Sequence, residues 1–402
     1  MSPLVGDRLD LRVGQVAHGG HCVARTPEGQ VVFVRHALPG ELVTAEVSEV
    51  HRGYLRADVV AVPEASPDRV APPCPWAGRC GGCDFQHARP RAQRELKAAV
   101  VREQLIRLAR LSPAEVDKLE VRVQELPGGV LGWRTRVQYA VSAEGRAGLL
   151  AHRSHEVVPI DYCRIAHPLV QGATVLTRRW TDVERVEVVA SAEGEVRVVG
   201  SGPVDPGPAS APARVHERAL GRRWELDAGT FWQVHPAAAD ALATAVIELL
   251  VPRGGDRTWD LYGGAGLFAA ALAPRVAEVM LVESSASGVA AARRNLADLT
   301  NVTTVRTSVQ RFRPPWRPDL VVLDPPRSGA GSAVVRKIAD AGPRAVAYVA
   351  CDPAAFARDV ATFRTAGYRL DELRAFDAFP MTHHVECVGL LRGRRGNVAG
   401  QS

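Results

Sequence analysis

Along the first sixty residues apolar positions come in short runs of strand-forming side chains. Val31-Val32-Phe33-Val34 and Leu42-Val43-Thr44-Ala45-Glu46-Val47 are two of them, and Gly19-Gly20, Pro27-Glu28-Gly29 and Pro39-Gly40 punctuate the stretch. Several short strands in so little chain predict a small β-barrel over 1–63. A linker rich in Pro and acidic residues follows over 63–73. Over about 91–110 the spacing turns helical, with Leu96, Val100, Leu105 and Leu108 as its apolar face. From 121 to 200 the pattern is β again, as in Arg134-Thr135-Arg136-Val137-Gln138-Tyr139-Ala140-Val141, and Pro203, Pro206, Pro208 and Pro212 mark a second loop over 201–214. From about 226 strand-like runs at 259–262, 279–283, 320–324, 345–350 and 384–391 alternate with helical patterns, which predicts a doubly wound α/β sheet. Three domains are expected: 1–63, 70–225 and 226–395.

Composition narrows the class. Hydrophobic residues make up 46% of the 402 and charged residues 23%, which excludes wholesale disorder. No apolar run approaches the roughly 18 residues of a membrane span, and Met1 to Leu11 has acidic residues and no apolar core, so no signal peptide is expected. The expectation is a cytoplasmic protein without membrane or protein partners. The net charge is +6, carried almost wholly by Arg; Lys97, Lys118 and Lys337 are the only lysines. A basic balance permits a polyanionic partner, although the Arg bias reads as genomic composition. The stretch 86–110 holds seven basic groups against Glu95 and Glu103, which leaves open a phosphate-tracking face or a merely solvated one.

Three motifs carry candidate chemistry. The first is Asp260-Leu261-Tyr262-Gly263-Gly264-Ala265-Gly266, an apolar strand that ends in an acid and a glycine-rich turn. Glycines there let backbone approach a cofactor, and Glu283, twenty residues beyond Gly263, stands where an acid meets ribose hydroxyls. Leu267 and Ala269 break the full dinucleotide pattern, and the turn looks like motif I of class I methyltransferases. The second is Asp324-Pro325-Pro326-Arg327, a rigid loop that projects Asp324 into the crevice; Arg327, where amine methylases carry an aromatic, argues against amine chemistry. The third pairs Cys351-Asp352-Pro353 with Glu386. Cys351 stands at a strand end before a helix, whose N-terminus is expected to lower the thiol pKa. Glu386 is a carboxylate in an apolar strand, which is costly unless used or paired. Cys387, on the opposite face of that strand, and Cys22 read as core.

Together these motifs, with Thr382-His383-His384-Val385-Glu386 and Phe231-Trp232-Gln233-Val234-His235-Pro236, resemble the RNA uracil-5-methyltransferases over nearly the whole chain. The run from Gly14 through Gly20, Cys22 and Phe33 to Glu41 resembles the TRAM domain, an OB-like barrel of RNA-modifying proteins. The resemblance implies a Rossmann-like class I methyltransferase domain and S-adenosylmethionine. It implies Cys351 as nucleophile, Glu386 as base, and Gln233, Tyr262, Gly263, Gly264, Gly266, Glu283, Ser308 and Asp324 around the cofactor. The chain departs from the family at Leu267 and His235, where Asn is common, and at Ser308, which replaces an acid.

An odd count of seven cysteines without a secretory signal argues against a disulfide framework. Cys74-x5-Cys80-Gly-Gly-Cys83 and the distant Cys163 suit zinc or an iron–sulfur cluster on spacing alone; the resemblance implies a 4Fe-4S cluster. It also implies a structured RNA substrate, 23S rRNA ahead of tRNA because of the barrel and the cysteines. A non-catalytic RNA-binding or chaperone protein on a relic methyltransferase fold is the alternative of another class, which Cys351 and Glu386 oppose.

Overall fold

The computed structural model describes residues 3–201 and 214–393. All but the two end residues of the expected loop at 201–214 therefore lie outside the described residues. The chain opens with β1 (Arg8–Arg12), β2 (Cys22–Arg25), β3 (Val31–Arg35), β4 (Leu42–Val50) and β5 (Tyr54–Glu64), in the order β1-β4-β5-β3-β2. Alternate residues Val43, Ala45 and Val47 of β4 point inward, and three register shifts against β5 bend the pair around that core. The linker expected at 63 begins within β5, whose last two residues still belong to the strand.

Helix α1 (Pro90–Arg107) starts on a proline, as first turns tolerate, and α2 (Pro113–Lys118) on a Ser112/Glu115 capping box. Strand β6 (Val123–Glu125) follows. A second sheet gathers β7 (Arg136–Val141), β8 (Ala147–Leu150), β9 (Val157–Pro159), β10 (Arg185–Ala190) and β11 (Val196–Ser201), with the short α3 (Pro168–Gln171) beside it. A hairpin of β12 (Arg214–Ala219) and β13 (Arg222–Asp227) leads to α4 (Ala238–Leu250).

The remaining elements are β14 (Arg257–Leu261), α5 (Leu267–Leu272), β15 (Glu278–Glu283), α6 (Ala286–Asn295), β16 (Val302–Arg306), β17 (Leu320–Leu323), α7 (Ser332–Ala341), β18 (Ala345–Ala350), α8 (Pro353–Thr365), β19 (Tyr368–Asp377) and β20 (Glu386–Gly393). They form an eight-stranded sheet ordered β16-β15-β14-β17-β18-β20-β19-β6. It is parallel from β16 to β18; β20 inserts antiparallel, and β6 joins the far edge parallel to β19. β16 and β19 went unread in the sequence. β16 is a half-buried edge strand with two Thr, and β19 carries charges between its apolar residues. Helices cover both faces: α4, α5 and α6 one, and α1, α2, α7 and α8 the other. Among the described residues no helix is long and apolar enough to cross a membrane.

α1 corrects an expectation. Its inward face holds Gln93, Lys97, Val101 and Leu105, so its basic residues do not form one open face. The Lys97 and Asp377 side chains are 0% and 2% exposed, and Lys97 Nζ donates to Asp377 Oδ1 at 2.5 Å and to the Phe379 carbonyl at 3.0 Å. Arg94 pairs with Glu125 at the end of β6. Removing one partner of a buried pair strands the other charge, at about 3–5 kcal/mol. Lys97→Ala is expected to lower the unfolding free energy by roughly that amount in a denaturant titration.

Candidate active site

The register of the large sheet builds the site. Leu261 pairs with both Val282 and Leu323. Tyr262, Glu283 and Asp324 therefore come level at the carboxyl edge of the parallel strands, where open α/β sheets bind ligands. On the other side of β17, β18 pairs antiparallel with β20, Ala350 opposite Cys387. One further step in that register sets Cys351 opposite Glu386. Opposed residues in such a pair point to one face, with Cβ atoms about 4.5–5.5 Å apart. Cys387 points to the other face and is fully buried, and Cys22 is likewise core.

The cradle is acidic. Burial raises the Glu386 carboxyl well above the usual carboxylate range and the nearby Asp324 raises it further, against the pull of Arg327; Glu386 is 4% exposed. Desolvation also raises Asp324. Burial pushes Asp260 up to about 7; its Oδ2 accepts from the Ala269 N–H at 2.9 Å, while Oδ1 is buried without a partner. The Cys351 thiol is pushed up to about 12, by burial first and then by Glu386 and Asp324, with Arg327 opposing. This corrects the expectation of a lowered thiol. Asp352 caps α8 by accepting the Ala355 N–H at 2.7 Å, which places a negative charge where the helix end would act on the sulfur.

The glycine turn is close-packed on one side and open on the other. A Cβ on Gly263 would meet Leu281 Cγ at 2.5 Å, and one on Gly266 (φ +99°) would meet Leu296 Cδ1 at 2.6 Å. A Cβ on Gly264 (φ +53°) would meet nothing within 4 Å. The Gly264 N–H donates to Glu283 Oε2 at 3.0 Å and the Ser285 N–H to Oε1 at 2.6 Å, so Glu283 is held across the turn. The Tyr262 side chain packs on the α7 and α8 side of the sheet, near Asp359 and Gln310. The partnerless Asp260 Oδ1 beside the open side of the glycine turn fits a polar ligand. Ser308 stands two residues beyond β16 at the same edge, its Oγ accepting the Arg311 N–H at 3.4 Å. Gln233 lies on the segment before α4, which Thr135 ties down through the Val234 carbonyl; no hydrogen bond among the described residues joins Gln233 to the carboxylates. Leu267 is buried at the start of α5 and offers no polar contact, whereas His235, buried against Trp133, accepts the Ala237 N–H at Nδ1 at 3.2 Å and leaves Nε2 without a partner.

Several positioning contacts were not read from the sequence. Asp359 Oδ2 accepts from Ala330 N–H at 2.7 Å, Gly331 N–H at 3.3 Å and Tyr348 O–H at 2.6 Å, which pins the loop after Asp324 to α8. An acid on the apolar face of α8, between Phe356 and Phe363, was the available signal. His18 of the barrel reaches Asp352 at 3.3 Å, a contact no local pattern announces.

Cys74, Cys80, Cys83 and Cys163 line one cavity on the second sheet, with Gln86, Leu149, Tyr162 and Ile165. Gly81 has no room for a Cβ, which would meet His152 and Leu150 backbone at 2.9 Å, and the Gly82 N–H lies 3.4 Å from Cys80 Sγ. Among the described residues no three His, Cys, Asp or Glu side chains gather tightly enough for a single metal ion.

Comparison with known proteins agrees with this architecture. Residues 4–60 match the TRAM domain family, and residues 314–394 match the family described as tRNA (Uracil-5-)-methyltransferase. An uncharacterized RNA methyltransferase of Streptomyces avermitilis is 49% identical, over 96% of this chain and 98% of its own length. The 23S rRNA (uracil(1939)-C(5))-methyltransferase RlmD of Chromohalobacter salexigens is 33% identical, over 96% and 91%. Among solved structures, the Pyrococcus abyssi tRNA (uracil-54, C5)-methyltransferase in complex with S-adenosyl-L-homocysteine superposes with a TM-score of 0.69 at 23% identity, covering 94% of this chain and 99% of that one. That likeness is one of fold.

A thiol raised to about 12 is almost wholly protonated at neutral pH. Alkylation of Cys351 in the ligand-free protein, followed by peptide mass spectrometry, is expected to accelerate about tenfold per pH unit from pH 7 to 10. A plateau near pH 8 would indicate an activated thiolate instead.

Proposed function

The chain belongs to the RNA uracil-5-methyltransferase family, and from that premise we propose that it methylates C5 of a uridine in 23S rRNA through a covalent Cys351–C6 adduct. The enzyme depends on S-adenosylmethionine and its substrate is RNA. When bound, S-adenosylmethionine supplies a methyl group on a sulfonium centre. Asp260, Tyr262 and the Gly263–Gly264–Gly266 turn would hold it, with Glu283 at the ribose and Gln233, Ser308 and Asp324 around it. A positive charge bound there would favour the ionised form of these carboxyls, which burial otherwise raises.

The observation that carries the reading is Cys351 set opposite Glu386 at the ligand-binding edge. C5 of uracil is a poor nucleophile. The Cys351 thiol loses its proton to water as its sulfur adds to C6; the C5=C6 electron pair moves onto C5, which takes the methyl group as that group's bond to the sulfonium sulfur breaks. Glu386 removes the C5 proton; the electron pair of that C–H bond re-forms C5=C6, and the C6–S bond breaks to release the thiolate. The target base must leave its stack to reach the crevice. The barrel over 1–63 would grip RNA, 70–225 would carry the cysteine site and 226–395 the chemistry. A cytoplasmic setting keeps these thiols reduced.

The barrel, the cysteines and the full-length relative that acts on 23S rRNA favour rRNA over tRNA. The resemblance of the Cys74, Cys80, Cys83 and Cys163 pattern to the family favours a 4Fe-4S cluster over zinc, and these four thiols, which line one cavity, are the donors either group would use. No redox step enters the methylation, so the cluster would be structural.

Cys351→Ala is expected to abolish both turnover and the covalent RNA adduct; residual methylation would exclude Cys351 as nucleophile. Glu386→Gln is expected to accumulate adduct on denaturing gels, and product release at the normal rate would show that another group is the base. Mapping 5-methyluridine in total RNA with and without the gene decides between rRNA and tRNA. Protein purified without oxygen is expected to hold about four iron and four sulfide per chain; stoichiometric zinc without sulfide would reverse that assignment.

A further inference from the structure

Glu386 is the first residue of β20, and the turn before it, 378–385, is held from outside the catalytic sheet. Met381 in this turn is a non-glycine residue at φ +68°. Such a conformation persists only when its surroundings over-determine it. Here the Met381 N–H donates to Gln93 Oε1 at 2.9 Å, and its carbonyl accepts the N–H groups of Asp84 and Phe85 at 3.0 and 2.9 Å. Two residues on, His383 is held twice by one oxygen: its backbone N–H lies 3.1 Å, and its Nδ1 2.6 Å, from Asp84 Oδ2. The His383 ring lies 4.1 Å from that of His384, whose Nε2 is 3.5 Å from Arg327 in the Asp324 loop. There is no slack behind His383, since a Cβ on Gly20 of the barrel would come within 2.9 Å of His383 Cβ and 3.3 Å of Asp84 Cβ. Asp84 follows Cys83 directly, so the cysteine-bearing segment is the clamp on this turn.

We propose that Asp84 is a positioning residue for removal of the C5 proton: through His383 it sets Glu386 over the adduct and so couples the cysteine site to one step of catalysis. This rests on Glu386 being the base, as read above. The cysteine site then serves catalysis without carrying electrons, by keeping Asp84 in place. Nucleophilic attack and methyl transfer depend on β18 and the glycine turn, which Asp84 does not touch, so its loss falls on the elimination step. A misplacement of about 1 Å costs on the order of a hundredfold in rate.

The test compares wild type, Asp84→Ala, Asp84→Asn and Glu386→Gln, each purified without oxygen, on one RNA substrate. It reads kcat, KM for RNA, S-adenosylmethionine affinity, iron content and the fraction of enzyme trapped as adduct. Asp84→Ala is expected to lower kcat roughly tenfold to a hundredfold, with KM, cofactor affinity and iron content near wild type and the trapped fraction raised. Asp84→Asn keeps an acceptor oxygen and is expected to show a smaller rise in trapped fraction; if the alanine variant does not fold, this rise decides. A parallel loss of adduct formation and turnover, or a wild-type trapped fraction, would overturn the proposal. Accumulation in Glu386→Gln but not in the Asp84 variants overturns this inference alone. No accumulation in Glu386→Gln overturns the reading of Glu386, and this inference with it.

Discussion

The buried ion pair between Lys97 and Asp377 is the constraint on which the arrangement of this protein depends. A charge with no access to water is tolerable only beside its partner. Desolvation lowers the Lys97 pKa and Asp377 opposes that shift. The pair fixes where α1 crosses the end of β19, and Asp377 is the last residue before the turn that leads to Glu386. Gln93, one helical turn earlier on the same face, then meets Met381 in that turn. A helix between the barrel and the second sheet thereby becomes part of the wall of the catalytic crevice. The end of β19, from which the chain turns toward Glu386, cannot shift without exposing or orphaning a charge.

A second tension runs through the site itself. Buried carboxyls sit beside the sulfur proposed as the nucleophile. Asp324 and Glu386 disfavour a thiolate at Cys351, and Asp352 blunts the helix end that would favour one. Arg327 is the group that opposes them at both Cys351 and Glu386. In the mechanism proposed above, the sulfur's ionisation then depends on charges brought in by cofactor and RNA.

Most of the catalytic edge was legible from local pattern. The Asp260–Gly266 turn, Glu283, Asp324 and Cys351 each stand at the end of an apolar run, and such strand ends in an open α/β sheet share one edge; Glu386 was legible as a carboxylate in an apolar strand. The cysteines 74, 80, 83 and 163 were legible as a set through their chemistry. β16 and β19 were not, because their apolar positions are few or interrupted by charge. The burial of Lys97 was hidden for a similar reason: in sequence it is one more basic residue in a basic helix.

What the sequence determined by itself is the inventory and order of the chemistry: a glycine turn, an acid-proline loop, a cysteine before a helix and a glutamate in a strand. What only the tertiary structure decided is which of these face each other and in what charge state. Cys351 comes near Glu386 because β20 inserts antiparallel beside β18, and the thiol is raised by burial first and then by Glu386, Asp324 and Asp352. Asp84 and His18 act on that crevice from hundreds of residues away in the chain. Electrostatic free energies depend on distance in space and on burial, and neither is a property of sequence spacing.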